Sequence, residues 1–175
     1  YRNSYNIFAS NGILFNHESP LRGEQFVTKK IVKALTEIKF NKKKDTLKLG
    51  NIYSRRDWGH AKDYVNMMYK ILIHKKADDF VISSEKQFSI KEFIILVCKK
   101  LNMPIKWQGK GLKEKAFYNN KIIIEILKEF LRPNDVTYLL GDSTKAKKVL
   151  KWKPKKNINL LIDDMVNFEI NNLKK

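Results

Sequence analysis

Apolar positions along this chain change period several times, and each change marks an element. Residues 6–15 read as an extended segment that becomes apolar at Gly12-Ile13-Leu14-Phe15. From 24 to 39 the period turns helical, with Phe26, Val27, Ile31, Leu35 and Ile38 on one face. A basic turn at 41–45 leads to a short strand at 46–50, where Leu47 and Leu49 point the same way. A turn at 57–60 then opens an amphipathic helix whose apolar face holds Ala61, Tyr64, Val65, Met68, Ile71 and Leu72. Residues 79–83 read as a strand. Ser89 and Glu92 form an S-x-x-E capping box before a helix over 93–101.

The remainder is less regular. Residues 105–107 read as a strand and 110–115 as a charged loop. Residues 121–130 carry two patterns: Ile122-Ile123-Ile124 reads as strand, Ile126, Leu127 and Phe130 as helix. Asp142 or Ser143 caps a helix through Leu150, and Pro154 breaks the chain. Asn157 caps a last helix that buries Leu160, Leu161, Met165 and Phe168. Residues 1–5 read as the end of a helix. Strands thus alternate with helices, the pattern of an α/β protein.

Charge invites a different reading. The chain carries 36 Lys+Arg against 18 Asp+Glu, a net charge of +18. Such an excess can mark a nucleic-acid binder. Yet the lysines are scattered in twos and threes, and asparagine is abundant. Both fit compositional bias on a solvated surface, and no groove-reading or base-stacking signature accompanies them. The field still draws anionic ligands. Cys98 is the one cysteine, in an apolar helical run, so it reads as a buried thiol and excludes a disulfide framework or cysteine metal site within one chain. No apolar run approaches the ~20 residues of a membrane span, and with Arg2, Asn3 and Asn6 ahead of any apolar stretch no signal peptide is expected. The expectation is a soluble, cytoplasmic protein with no metal.

Three blocks concentrate chemistry. The first is Phe15-Asn16-His17-Glu18-Ser19-Pro20-Leu21-Arg22-Gly23, a polar loop at the end of an apolar strand. Open α/β sheets place ligands at such strand ends. Asn16 can donate and accept, His17 can stack or hydrogen-bond, and Arg22 can grip a phosphate with both nitrogens. A purely structural loop is the alternative. The second is the charged turn around Arg55-Arg56-Asp57-Trp58-Gly59-His60 at a helix start, where anions are favoured. Asp57 as a simple cap, with a solvated arginine pair, is its alternative. The third is Arg132-Pro133-Asn134-Asp135, suited to a phosphate and a ribose, or merely a loop ion pair. Arginine occurs only five times, and all but Arg2 sit in these blocks: Arg22, Arg55, Arg56 and Arg132. A chain that otherwise uses lysine keeps arginine where planar, bidentate geometry is needed.

Those motifs carry a resemblance. Residues 12–20, Arg22-Gly23, the run Phe26-Val27-Thr28-Lys29-Lys30, Gly50-Asn51, residues 56–65 and Arg132-Pro133 resemble the carboxyl-terminal half of the GDP-mannose 4,6-dehydratase family. That family belongs to the extended short-chain dehydrogenases/reductases. The ending Gly141-Asp142-Ser143-Thr144-Lys145-Ala146-Lys147, then Leu150 and Trp152-Lys153-Pro154, is similar to it as well.

The resemblance implies a partial Rossmann-like NAD(P)-binding fold, about residues 1–20 and parts of 46–83, with the remainder a smaller α/β sugar-nucleotide domain. It implies NADP contacts at His17 and Arg22. It implies GDP-mannose contacts at Asn16, Val27, Lys30, Gly50, Arg56, Arg132 and Asp135. The family usually has Glu at position 135 and often Arg at position 21, where this chain has Leu21. The implied reaction takes a hydride from C4 of the mannose, eliminates water across C5 and C6, and returns the hydride to C6, the first step towards GDP-fucose. The family's catalytic Tyr-x-x-x-Lys pair, Thr or Ser, and Glu are expected before Tyr1, since Tyr5 rather than a lysine lies four residues after Tyr1. The Gly-rich cofactor loop is expected there too. A fragment inactive alone and a homo-oligomeric full-length enzyme follow from the resemblance. A nucleic-acid-binding module and a sister epimerase, dehydratase or reductase are the competing expectations.

Overall fold

The computed structural model describes residues 1–42 and 45–174. The centre of the expected basic turn, Lys43 and Lys44, lies outside the described residues. In chain order the first elements are α1 (Arg2–Tyr5), β1 (Gly12–Leu14), β2 (Asn16–Glu18), α2 (Val27–Lys39) and β3 (Leu47–Leu49). Next come β4 (Arg55–His60), α3 (Ala61–Leu72), β5 (Phe80–Ile82), β6 (Gln87–Ser89) and α4 (Ile90–Lys100). The last are β7 (Lys106–Gln108), β8 (Lys115–Tyr118), β9 (Lys121–Ile126), β10 (Tyr138–Leu139), α5 (Thr144–Leu150) and α6 (Ile158–Asn172). The result is a mixed α/β fold with parallel strand pairs, as the alternation of periods predicts.

The chain divides into two compact units. The first comprises Tyr1–Ser19, Arg56–Gln87 and Leu139–Leu161. Here β1 runs parallel to β5, with Gly12 opposite Phe80 and Leu14 opposite Ile82. Strand β2 runs parallel to β4, with Asn16 opposite Trp58, His17 opposite Gly59 and Glu18 opposite His60. Parallel strands need apolar cover. Tyr64, Met67 and Ile71 of α3 supply it, joined by Phe80, Ile82, Ala146, Leu150 and Trp152. Asp63 closes the segment after Pro154: its carboxylate accepts the Lys155 and Lys156 amides at 3.0 and 2.9 Å.

The second unit comprises Pro20–Arg55, Phe88–Tyr138 and Ile162–Lys175. Its sheet has the order β3-β9-β8-β7, parallel at β3–β9 and antiparallel at β9–β8 and β8–β7. Helix α2 packs on α4, burying Ile31, Val32 and Leu35 completely. The expected capping box is present: the Ser89 hydroxyl accepts the Glu92 amide, and the Glu92 carboxylate accepts the Ser89 amide at 2.6 Å.

Several expectations change. The stretch 57–60 is no turn but the end of strand β4, running straight into α3. Its charged residues disguised it, yet Asp57, Trp58, Gly59 and His60 are all buried. His60 caps α3 by accepting the Lys62 amide at its Nδ1, 3.1 Å away. On α3 the expected core residues Val65, Met68 and Leu72 are 62%, 44% and 70% exposed, and Met67 is buried instead. Both sets lie within one broad apolar arc, and the narrow β1–β5 pair covers only the Tyr64-Met67-Ile71 part of it. The charged loop at 110–115 contains a 3-10 turn at Gly111–Lys113 and leads into β8. Over 121–130 the strand reading holds: β9 extends through Ile126, and the helical reading shrinks to a single 3-10 turn at Lys128–Phe130. On α6, Leu161 and Met165 are buried as expected, but Leu160 is exposed.

Candidate functional site

In the second unit two of the expected ligand residues, Lys30 and Gly50, meet at Phe130, and Val27, Arg132 and Asp135 belong to the same unit. Val27 opens α2, and Lys30 lies on its first turn. The Lys30 ammonium donates to the Lys48 carbonyl at 2.8 Å and stands 4.8 Å from the centre of the Phe130 ring. Gly50 follows β3, and a Cβ there would fall 2.1 Å from the Phe130 carbonyl oxygen. Only glycine lets the two backbones approach so closely. Phe130 leads directly into Leu131, Arg132 and Pro133. The Asp135 amide donates to the Arg132 carbonyl at 3.3 Å, closing a tight turn, and the Asp135 carboxylate accepts the Ser54 hydroxyl. A cleft of about 410 Å³ runs past Lys30, Lys33, Thr46, Lys48 and Phe130. Glu24 and Glu37 line it too, and Glu24 pairs with Lys33 at 2.6 Å, so its charge is mixed, while its aromatic wall suits a planar ligand.

Arg22 belongs to the same unit. Its guanidinium carbon lies over the Phe26 ring, 3.5 Å from the ring centre, a cation–π contact. Lys29 ties this segment down by donating to the Pro20 carbonyl at 2.7 Å. It also forms a buried ion pair with Glu169 of α6.

In the first unit, Asn16 and His17 lie on β2 beside β4, which carries Arg56. The His17 Nδ1 is 3.0 Å from the Phe15 carbonyl oxygen. The other face of the story is Tyr64, whose ring centre lies 5.1 Å from that of His17. Burial, with the charges of Asp57, Asp63 and Glu18, holds the Tyr64 phenol well above its usual range, so it stays neutral. Next to Arg56, the fully buried Asp57 carboxylate accepts the Ser84 and Glu85 amides at 2.8 and 2.9 Å. It organises the loop after β5 at the carboxyl end of the parallel pair, where ligands of such sheets bind.

Sequence reasoning passed over Phe130, Tyr64 and Asp57's loop contacts. Gly59 was the available signal for Tyr64, because a Cβ at 59 would lie 2.3 Å from that ring. Cys98 is buried, and burial pushes its thiol up to about 12, which keeps it unreactive. Among the described residues no group of His, Cys, Asp and Glu side chains could hold a metal ion. No helix there is long and apolar enough to cross a membrane.

Residues 1–165 match the family described as GDP-mannose 4,6 dehydratase. The chain belongs to the GDP-mannose 4,6-dehydratase family. It is 42% identical over 171 residues to GDP-mannose 4,6 dehydratase 2 of Caenorhabditis elegans, covering 97% of this chain and 44% of that protein. It is 40% identical over 172 residues to the Homo sapiens GDP-mannose 4,6 dehydratase, covering 97% and 46%. The chain therefore spans about half the length of the relatives it matches. Its fold is similar to that of RMD from Pseudomonas aeruginosa, solved with NADPH, at a TM-score of 0.77 and 16% identity over 97% of this chain and 50% of that one. It is also similar to dTDP-glucose 4,6-dehydratase of Bacillus anthracis, solved with NAD, at a TM-score of 0.76 and 16% identity over 99% and 48%.

Proposed function

We propose that this chain is the sugar-nucleotide-binding part of a GDP-mannose 4,6-dehydratase, the hydro-lyase that forms GDP-4-keto-6-deoxymannose. The observation that carries this reading is the convergence of Lys30 and Gly50 on Phe130, two residues before Arg132. In it, Val27, Lys30 and Gly50 line the nucleotide, Arg132 adds a further nucleotide contact, and Arg56 is a bidentate donor to the diphosphate. Asp135 accepts from a ribose hydroxyl or the base, and Asn16 faces the pyrophosphate. The Asp135 carboxylate also accepts the Ser54 hydroxyl, which fixes its orientation.

His17 and Arg22 fit a nicotinamide dinucleotide, NADP by the family's habit. The imidazole has one nitrogen engaged by the Phe15 carbonyl, and the guanidinium lies over the Phe26 ring. When bound, that cofactor supplies the hydride acceptor and donor of the reaction. No tyrosine in the sequence has a lysine four residues on. Proton transfer to and from the sugar, which in this family uses a Tyr whose phenolate a nearby Lys favours, therefore falls to groups outside these residues. The chain alone binds and orients but does not turn over. The full-length enzyme works as a homo-oligomer in this reading.

Calorimetric titration of the 175-residue chain with GDP and GDP-mannose tests it. Binding is expected, weakened about tenfold or more by Arg132→Ala, the loss of one charge-assisted pair. No response to either ligand, together with tight and salt-steep binding of RNA or DNA, would overturn it. Dehydratase turnover by this chain alone would overturn the division of labour.

A further inference from the structure

We propose that Tyr64 is a positioning residue for His17: its ring holds the imidazole as the Nδ1–H tautomer and leaves Nε2 as a hydrogen-bond acceptor for the ligand.

The tautomer follows from the partner. The Phe15 carbonyl 3.0 Å from the His17 Nδ1 can only accept, so Nδ1 carries the hydrogen. In water a neutral imidazole prefers the opposite form, with hydrogen on Nε2, so something must hold the ring where Nδ1 meets that carbonyl. The imidazole's own χ2 torsion is soft and does not supply the restraint. Tyr64 does. Its ring is tilted 31° to the imidazole at 5.1 Å between centres, within the range of aromatic contacts. It is only 1% exposed and wedged among Met67, Ile71 and Phe80, so it does not yield.

Gly59 makes this contact possible. It sits directly opposite His17 in the β2–β4 ladder. A Cβ there would lie 2.3 Å from the Tyr64 Cε2 and 2.7 Å from its hydroxyl oxygen. The tyrosine ring from α3 therefore fills the place of the missing side chain and reaches the imidazole across β4. Among the described residues the Tyr64 hydroxyl has no hydrogen-bond partner, which makes the ring, rather than the hydroxyl, the working part.

His60 provides an internal contrast. Its Nδ1 accepts the Lys62 amide, so its hydrogen is on Nε2. Two histidines from neighbouring strands thus hold opposite tautomers. With the hydrogen on Nδ1, Nε2 of His17 takes a hydroxyl or amide N–H of a dinucleotide rather than its phosphate oxygens. That last step rests on the reading of His17 as a cofactor contact.

Long-range proton–nitrogen NMR of the 175-residue chain reads each tautomer directly, with His17 assigned by its disappearance in His17→Asn. Wild type and Tyr64→Phe are expected to show Nδ1–H at His17 and Nε2–H at His60. Tyr64→Met, which fills the volume without a flat face, is expected to turn His17 into a mixture and leave His60 unchanged. Gly59→Ala, which displaces the ring without removing it, is expected to do the same and decides the matter if Tyr64→Met does not fold. Nε2–H at His17 in wild type, or an unchanged His17 in either ring-disturbing variant, would overturn the proposal. NADPH titration of His17→Asn is a separate arm: unchanged binding would sink the cofactor reading while leaving the tautomer result standing.

Discussion

Lys29 and Glu169 form an ion pair in which both side chains are almost wholly removed from water, 7% and 8% exposed. Lys29 lies on the first turn of α2, between the expected ligand residues Val27 and Lys30. Removing one partner strands the other charge in a place that cannot solvate it. Lys29→Met or Glu169→Gln is expected to destabilise the chain by about 3–5 kcal/mol. The Lys29→Met/Glu169→Met double variant should recover most of that loss, because a well-packed apolar pair replaces a buried ionic one at little net cost. Urea denaturation midpoints of the three variants measure it.

Gly50→Ala tests the close approach at Phe130. The new Cβ would stand 2.1 Å from a backbone carbonyl oxygen, which cannot swing aside as a side chain can. The expected loss is about 1–3 kcal/mol, the usual penalty of overpacking, with weaker GDP binding because Lys30 rests on the ring of this same Phe130. Gly23→Ala is the control. Its Cβ would meet only the amide end of Gln25, so it should leave stability nearly unchanged. Thermal midpoints and a GDP titration separate the two.

Much of this was legible in the chain. Helix α2 announced itself through the spacing of Val27, Ile31 and Leu35, and α4 through its capping box. The motif around Asn16 and His17 pointed to a strand end, and its family resemblance to a sugar nucleotide. What stayed hidden was tertiary. Strand β4 reads as a charged turn because Arg55, Arg56 and Asp57 mask its extended backbone; nothing local says that a fully buried Asp57 will take up amides 27 and 28 residues away. The buried face of α3 could not be chosen from its arc alone, since the choice belongs to the sheet beneath it. Lys30 and Gly50 are joined through Phe130, which no motif distinguishes. The role of Gly59 is fixed by a ring five residues further on, across a strand–helix junction that sequence periodicity does not resolve.

Asp57 should be intolerant even of its closest substitute. Its two oxygens accept the Ser84 and Glu85 amides at 2.8 and 2.9 Å, and Asp57→Asn replaces one acceptor with a donor that faces another donor. The expected destabilisation is about 1–3 kcal/mol, the penalty of an unsatisfied buried pair. Hydrogen exchange should locate the effect: the Ser84 and Glu85 amides are expected to lose protection, while amides of α2 in the other unit keep theirs. Uniform loss across both units would show that Asp57 does not act on this loop in particular.

Glu85 gives the acid side of the stability profile a specific contributor. Its backbone is in the left-handed region at φ 57°. Its carboxylate accepts the Ser143 amide and hydroxyl at 3.0 and 2.7 Å and pairs with Lys147. The Lys147 ammonium, and then the Ser143 donors, hold the Glu85 carboxyl below the ordinary value of 4.5 against the opposing effect of burial. A carboxyl with a lower pKa in the folded chain takes up its proton first in the unfolded one. Its contribution is therefore complete above pH 4.5 and is lost as pH falls through the lower folded value. Glu85→Gln is expected to lower stability at neutral pH and to flatten its decline in acid, so that the two profiles converge at the lowest pH. Denaturant midpoints followed from neutral pH into acid check this; parallel profiles would show that Glu85 is not the titrating group.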